Sequence, residues 1–393
     1  MCLLIVEIGL RFVTLALSLV GIITSTIYHR ILQASSTYDS VLVVAGNGGA
    51  SMKAARLHRV GEALKIDSVE VPAVGSNDVI VDIKASGICH SDLNYRDGVA
   101  PVGKLPIVLG HEIAGVISKT GEHVKGIVEG DRVCVHYIRS CGNCSFCRAD
   151  RENFCEEYQM IGKDIDGGFA EYIRVPVSNV LKLPNTLPFE QACILGCAVS
   201  TTYHALKRGR MRAGDTVVIF GVGGLGAQAI QLAKIFNAKK VVAVDISDEK
   251  LKLAEKLGVD EIVNAAVEDP VKRIEAMTEG KLADLVLDFV GAAKVVEQEI
   301  RCVGKGGRMV LIGIGQDDIR LSPYKTIIGK EMELIGVNDH LRSELVQLID
   351  IVRSGSLDLS KSITHRVHLD EVNTGLEILE KGIGNPIRVV IVK

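Results

Sequence analysis

Residues 216–226 read TVVIFGVGGLG, and this stretch decides the fold of one half of the chain. Its first five residues, Thr216–Phe220, have the β-branched and apolar composition of a buried strand. A G-x-G-x-x-G turn follows and runs into an amphipathic segment, Leu225–Phe236; the turn contains Gly221, Gly223, Gly224, Leu225 and Gly226. A strand, this turn and a helix in succession predict a dinucleotide site, with the pyrophosphate at the helix N-terminus.

The next strand indicates which dinucleotide is bound. Val241–Val244 ends at Asp245, nineteen residues after Gly226. An acid at this place accepts hydrogen bonds from the ribose hydroxyls and repels a 2′-phosphate. The residues that follow, Ile246–Lys250, contain no arginine to hold such a phosphate. We therefore predict NAD rather than NADP.

Further strand-like runs alternate with helix-like stretches up to residue 336: Glu261–Asn264, Asp284–Phe289, Arg308–Gly313 and Met332–Gly336. With the two strands above they predict a doubly wound Rossmann domain, residues 199–336, with a six-stranded parallel sheet. Residues 52–192 have a different pattern, in which short β runs such as Val79–Ile83 are separated by Gly, Asn and Asp turns. We predict an all-β region there, so the fold class is α/β with a second, β-rich domain.

Three separated polar motifs predict a catalytic metal site. Residues 87–93 read GICHSDL and contain Cys89; His111 and Glu112 follow in GHE, and Cys197 lies in LGCAVSTTYH. Two thiolates and an imidazole suit Zn²⁺ and leave the fourth position open, as a catalytic zinc requires. Taken singly, each of these cysteines is more often a small buried hydrophobe.

A second group of cysteines has the spacing C-x₂-C-x₂-C-x₇-C, and it comprises Cys141, Cys144, Cys147 and Cys155. Four thiolates so spaced are a strong signal for a closed tetrahedral metal site. An iron–sulfur cluster is an alternative, but its motif would end in C-x₃-C-P. A nucleic-acid-binding zinc ribbon is another, although the surrounding segment has no excess positive charge.

The three motifs GICHSDL, GHE and LGCAVST, in this order, resemble the zinc-dependent alcohol dehydrogenases of the medium-chain dehydrogenase/reductase family, microbial type. The resemblance extends from Met52 to Lys393. It implies a barrel-like (GroES-like) catalytic domain over residues 52–198, with a structural-zinc lobe at 141–155, and a return of residues 337–393 to that domain. It also implies two zinc ions per chain and a homotetramer or homodimer in the cytoplasm.

The resemblance implies roles for single residues. Ser91 would accept a hydrogen bond from the alcohol and start a proton relay, Asp92 would brace a zinc ligand, and Glu112 would approach the zinc transiently. Cofactor contacts are implied for His90, Thr201, Lys250 and Arg388. Two alternatives remain open: Glu112 as a buried carboxylate paired with an arginine, and Arg388 as a solvated residue. The family's relay often ends at a histidine, and here that position is Asn94, which has no titrating group.

The whole chain has 393 residues, a net charge of −3 and ten cysteines, too few for a disulfide framework at this length. Four of them within fifteen residues indicate metal in a reducing compartment. The near-neutral charge leaves no basic patch, so nucleic acid is not an expected partner. The expected partner is a small alcohol or carbonyl compound.

Residues 1–51 differ from the rest. Phe12–Tyr28 is uncharged but, at about 1.5 Å per residue, is short for a membrane helix. We predict that this extension is artefactual or disordered, with translation starting at Met52, rather than a membrane anchor.

Three other functions remain as alternatives: a polyol, hydroxy amino acid or semialdehyde dehydrogenase with the same mechanism, a zinc-free quinone or enoyl reductase, and a non-catalytic cofactor-binding protein. The presence of all three candidate zinc ligands argues against the zinc-free reductase.

Overall fold

The computed structural model of the protein describes residues 50–393. In that range the strands are β1 Ser51–Leu57, β2 Lys65–Glu70, β3 Asp78–Ile88, β4 Ile107–Val108, β5 Glu112–Thr120, β6 Arg132–Val135, β7 Ile138–Arg139, β8 Gln159–Met160, β9 Tyr172–Pro176, β10 Val180–Lys182, β11 Thr216–Phe220, β12 Lys240–Asp245, β13 Glu261–Asn264, β14 Ala283–Asp288, β15 Val303–Leu311, β16 Glu333–Gly336, β17 Ile363–Val367 and β18 Arg388–Val392. The helices are α1 His90–Arg96, α2 Ser145–Arg148, α3 Phe189–Cys193, α4 Ala198–Arg208, α5 Gly226–Ile235, α6 Asp248–Lys256, α7 Pro270–Met277, α8 Ala293–Cys302, α9 Pro323–Thr326, α10 Arg342–Arg353 and α11 Val372–Lys381.

The predicted parallel sheet is confirmed. Six strands pair in the order β13-β12-β11-β14-β15-β16, and every pairing is parallel. This is the doubly wound order in which the chain reverses direction beside β11, so ligands bind beyond the carboxyl end of that strand. The G-x-G-x-x-G turn lies at that end, between β11 and α5.

The sequence of β11 explains why helices cover both faces of this sheet. Val217 and Ile219 belong to the core cluster that includes α4 and α5, whereas Val218 and Phe220 belong to the cluster that includes α7 and α8. Alternate side chains of a strand point to opposite faces, so a strand buried on both faces is apolar throughout. Full burial of each such side chain contributes about 1.5–3 kcal/mol to stability.

The second large sheet has the order β10-β6-β5-β3-β18-β17, with β9 also paired to β3. Its strands run antiparallel except for the β17–β18 pair. The last strand of the chain therefore pairs with the end of β3, whose final residues, Gly87 and Ile88, begin the GICHSDL motif. The α/β class with a β-rich companion domain is confirmed, while the boundaries at residues 198 and 336 stay a prediction.

The prediction of an all-β region over residues 52–192 is wrong in detail, because α1 and α2 lie within it and α3 begins there. Helix α1 forms where Asp92, its third residue, accepts a hydrogen bond from the backbone N–H of Cys89 at 2.8 Å. An acid in the first turn also interacts favourably with the helix dipole, and Arg96 does so in the last turn. These local signals outweighed the surrounding strand pattern.

Within residues 50–393, no helix has the length and apolar character needed to cross a bilayer. The segment Phe12–Tyr28 and the rest of the predicted extension up to residue 49 lie outside the described residues.

Candidate active site

The structure brings the three polar motifs together. One potential ligand atom from each of Cys89, His111, Glu112 and Cys197 lies within 4.8 Å of the others, and all four residues are buried. The predicted site residues of the three motifs therefore form one cluster, although up to 108 residues separate them along the chain. Two sulfurs, an imidazole nitrogen and a carboxylate are a donor set that suits zinc.

Strand pairing explains this convergence. Gly87 of β3 lies opposite Glu112 of β5, which places Cys89, two residues later, beside His111. A Cβ atom at Gly87 would clash with the buried Glu112 side chain, so glycine leaves the room that this carboxylate occupies. Cys197 enters from the start of α4, where the N–H of Ala198 donates to Glu112 Oε1 at 3.2 Å.

Asp92 and Ser91, both on α1, contact the residues of the cluster. Asp92 Oδ1 lies 3.3 Å from His111 Nδ1, and its other oxygen accepts the N–H of Cys89. A carboxylate behind an imidazole orients the ring and makes its other nitrogen a better ligand. That other nitrogen, Nε2, lies 3.4 Å from Ser91 Oγ. The serine hydroxyl is thus on the side of the ring that faces the thiols.

The two cysteine thiols of the cluster differ in how readily they ionise. The pKa of Cys89 lies well below its usual value, chiefly because the Cys197 thiol donates to it, and His111 adds to this effect. The pKa of Cys197 is correspondingly raised. Cys89 is therefore the sulfur that is more readily ionised, and a thiolate is the form that binds metal.

Glu112 is paired with Arg388. Glu112 Oε1 lies 3.1 Å from Arg388 Nη2, and both side chains are buried. Burial raises the pKa of Glu112 to about 7, and the guanidinium opposes this rise. The alternative of a carboxylate paired with an arginine is confirmed. The alternative of a solvated Arg388 is wrong, because only 3% of the residue is exposed.

The four cysteines of the second motif also converge. One atom from each of Cys141, Cys144, Cys147 and Cys155 lies within 4.8 Å of the others, and the sulfurs of Cys141 and Cys147 are 3.9 Å apart. Zinc–sulfur bonds of about 2.3 Å in a tetrahedron place sulfurs about 3.8 Å apart. Backbone N–H groups donate to the sulfurs of Cys141 and Cys155. All four cysteines are free rather than in disulfides.

The glycine-rich turn has an open side. A Cβ atom built at Gly223 would meet nothing within 4 Å, so a ligand can approach the backbone there. Next to it, a Cβ atom at Gly224 would come within 3.0 Å of the guanidinium carbon of Arg388. Arg388 therefore contacts both the turn and Glu112. Gly221, Leu225 and Gly226 complete the turn as the sequence predicted.

Asp245 ends β12 and closes the same turn. Its Oδ2 accepts the N–H of Val222 at 2.7 Å, and its Oδ1 accepts the N–H groups of Ile246 and Ser247. Sequence reasoning assigned Asp245 only to the ribose. The structure adds a second contact, because the same carboxylate holds the glycine-rich turn against β12.

The remaining predicted residues lie around these two centres. His90 begins α1 and remains accessible to solvent, but the neighbouring protein removes part of its hydration; this partial desolvation, with the charges of Arg388 and Lys250, lowers its pKa. Thr201 is buried in the first turn of α4, where its N–H donates to the Cys197 carbonyl at 2.8 Å. Asn94 is half-buried on α1.

Comparison with known proteins identifies the family. Residues 75–185 match the family described as "Alcohol dehydrogenase GroES-like domain", and residues 224–354 match "Zinc-binding dehydrogenase". An alcohol dehydrogenase of Geobacillus stearothermophilus is 38% identical over 84% of this chain and 96% of its own length. The chain belongs to the zinc-dependent alcohol dehydrogenase family.

Two other similar proteins are also alcohol dehydrogenases. The NAD-dependent alcohol dehydrogenase of Sulfurisphaera tokodaii is 33% identical over 86% of this chain and 100% of its own length. The crystal structure of the alcohol dehydrogenase of Aeropyrum pernix has a TM-score of 0.80 and 36% identity, over 87% of this chain and 100% of that chain. The resemblance inferred from the three motifs is confirmed.

The sequence prediction missed three residues beside the cluster. The ring of Tyr137 packs edge-on against His111, with ring centroids 5.3 Å apart, and Tyr137 donates to Asp339 Oδ1 at 2.9 Å. Tyr158 donates to the other oxygen of Asp339 at 3.0 Å. No motif signals these residues. The only available sign was that Tyr137 comes four residues before the first cysteine of the lobe.

Proposed function

We propose that this chain catalyses the reversible oxidation of an alcohol to an aldehyde or ketone, with hydride transfer to NAD. The observation that carries the proposal is the buried convergence of Cys89, His111, Cys197 and Glu112. Membership of the zinc-dependent alcohol dehydrogenase family supports the reaction class.

The residues fit two zinc ions. Cys89, His111 and Cys197 would hold one ion and leave a position for substrate, while the four-cysteine lobe would hold the other in a closed site. At the first site zinc would act as a Lewis acid toward a hydroxyl group, and bound NAD would accept the hydride. Glu112 lies among the candidate ligand atoms, which supports a transient role during ligand exchange.

Several side chains would prepare the site. Ser91 Oγ lies close to His111 Nε2, so its hydroxyl is placed to accept a hydrogen bond from a substrate hydroxyl. Asp92 would keep the imidazole oriented through its contact with Nδ1. Arg388 would hold Glu112 by its charge and keep it from the ligand position until exchange occurs.

The cofactor would bind along the carboxyl end of the parallel sheet. The open side of Gly223 and the N-terminus of α5 would receive the pyrophosphate, near Arg388 and His90. Asp245 and Lys250 would contact the ribose, and Thr201 would face the nicotinamide. A homotetrameric or homodimeric assembly and a cytoplasmic location belong to this proposal as predictions.

The test is a panel of primary and secondary alcohols, followed by NADH absorbance with zinc analysis on the same sample. We expect NAD reduction by the unaltered enzyme and none by Cys197→Ala. Cys193→Ala is the matched control, because Cys193 is also buried but donates to the Glu190 carbonyl rather than to the cluster. Zinc-loaded enzyme that oxidises no alcohol would show that the proposal is wrong.

A further inference from the structure

Asp339 lies next to the proposed catalytic centre but takes no part in holding it. Its carboxylate accepts hydrogen bonds from the hydroxyls of Tyr137 and Tyr158, and Tyr137 in turn packs against His111. One aromatic ring therefore separates this acid from a candidate zinc ligand. Neither the motifs nor the proposed mechanism uses it.

The fold explains how Asp339 reaches this place. Ile113 of β5 pairs with Val135 of β6, so continuing this antiparallel register brings Tyr137 opposite His111. Asp339 comes from the other half of the molecule, in the loop after β16 at the edge of the parallel sheet. Its backbone has a φ of +59°, a left-handed conformation that costs a non-glycine residue free energy. The loop thus holds one acid in a left-handed backbone conformation, with its carboxylate on the Tyr137 and Tyr158 hydroxyls and the Tyr137 ring between it and His111.

The carboxylate retains acceptor capacity. Two carboxylate oxygens offer about four acceptor sites. Here Oδ1 receives one tyrosine hydroxyl, and Oδ2 receives the other tyrosine hydroxyl and the side-chain amide of Asn338. Asp339 is only partly buried, and among the described residues no cation lies within ion-pair distance of it. Burial raises the pKa of Asp339, and the nearby charge of Lys163, which opposes this rise, is itself paired with Asp164.

We propose that Asp339 determines substrate specificity: its carboxylate accepts a hydrogen bond from a second donor group of the substrate. The enzyme then prefers alcohols with another hydroxyl or an ammonium group near the reacting carbon over alcohols with a purely apolar chain. The physical reason is that a carboxylate facing an alkyl chain loses hydration without compensation. This inference rests on the proposed function, because it concerns the same site.

A purely structural role is the competing account. The bonds from Tyr137 and Tyr158 to Asp339 join the two halves of the molecule, as does the bond from the Asn153 side chain to the Asn338 carbonyl at 3.1 Å. If Asp339 only joins the halves, its replacement will change stability and will change kcat/KM equally for all alcohols.

The experiment compares three primary alcohols of nearly equal size: n-propanol, ethylene glycol and ethanolamine. Because a hydrogen bond to a charged group is stronger than one between neutral groups, we expect ethylene glycol or ethanolamine to exceed n-propanol at least about tenfold in kcat/KM. Asp339→Leu should remove this preference and retain n-propanol oxidation. Asp339→Asn keeps a polar group of the same shape, so it should lose the preference for ethanolamine more than that for ethylene glycol.

Tyr158→Phe is the matched control. It removes one hydrogen bond to Asp339 but leaves the carboxylate, so the preference should remain. Zinc content and thermal unfolding are measured for each variant. If Asp339→Leu does not fold, the kcat/KM ratios of Asp339→Asn for ethanolamine and ethylene glycol relative to n-propanol decide. An unaltered enzyme that favours n-propanol, or ratios that do not change in the variants, would overturn this inference alone. Failure to oxidise any alcohol would instead overturn the proposed function.

Discussion

Glu112 and Arg388 form a buried ion pair, with 3.1 Å between Oε1 and Nη2, that joins the start of β5 to the start of the last strand, β18. The pair lies between the candidate metal ligands and the glycine-rich turn, since Arg388 also packs against Gly224. One guanidinium therefore links the two proposed sites.

Arg388→Met should destabilise the protein strongly. It leaves the Glu112 carboxylate buried without its cation, and breaking a buried pair in this way costs about 3–5 kcal/mol. Arg366→Met is the matched control, because Arg366 pairs with Glu190 at a half-exposed site, where such pairs contribute about 0–1 kcal/mol. The measurement is urea unfolding of both variants. If the two variants lose the same unfolding free energy, burial does not make the Glu112–Arg388 pair more important than the exposed pair.

Cys147→Ala should remove one zinc ion and lower stability, since structural zinc contributes directly to folding. Cys197→Ala should also remove one zinc but leave the fold intact and abolish turnover. Cys134→Ala controls for the loss of a cysteine, because Cys134 is buried in β6 outside both clusters. Metal analysis and circular dichroism give the result. Full zinc content in Cys147→Ala would count against the structural site.

Asp245→Ser should relax the preference for NAD over NADP, because it removes the charge that repels a 2′-phosphate. The structure adds a second expectation. Loss of the hydrogen bond from Val222 should cost about 1 kcal/mol of stability. Asp248→Ser is the control, since Asp248 is a nearby acid that binds the Asn264 side chain instead. The ratio of kcat/KM for the two cofactors decides. If the unaltered enzyme has a higher kcat/KM with NADP than with NAD, the role assigned to Asp245 is wrong.

Glu299 should make the protein less stable as the pH rises. Burial and the adjacent Asp288 raise the pKa of Glu299 to about 9, from an ordinary value of 4.5. The folded protein therefore keeps a proton that the unfolded chain loses, so the unfolding free energy falls between about pH 4.5 and about pH 9.

Glu299→Gln removes this titration and should flatten the fall. Urea unfolding at about pH 6 and about pH 8 measures the effect. Exposed Glu275→Gln should keep the slope of the unaltered protein. An unchanged slope in Glu299→Gln would show that another group is responsible.

The sequence alone determined much of the fold and the identity of the clusters. The strand Thr216–Phe220 has the observed bounds, because a short β-branched run that is apolar on both faces and ends at a glycine-rich turn favours a buried strand. The four-cysteine site could be named from its spacing, whereas Cys89, His111 and Cys197 could be named only from the order of their three motifs and the family resemblance. Helix α1 was missed because the feature that starts it is a single hydrogen bond, from the backbone N–H of Cys89 to the Asp92 carboxylate. The residues around it have the pattern of strands.

Only the tertiary structure decided the contacts between residues that are distant in the chain. The pairing of Glu112 with Arg388 spans 276 residues, and that of Tyr137 with Asp339 spans 202. Such contacts depend on the register of β3, β5 and β18 and on where the loop after β16 ends, which no local pattern encodes. Hydrophobic periodicity and turn residues act over a few positions, so they determine the elements. Only the packing of those elements brings Asp339 close to the proposed centre, across the ring of Tyr137.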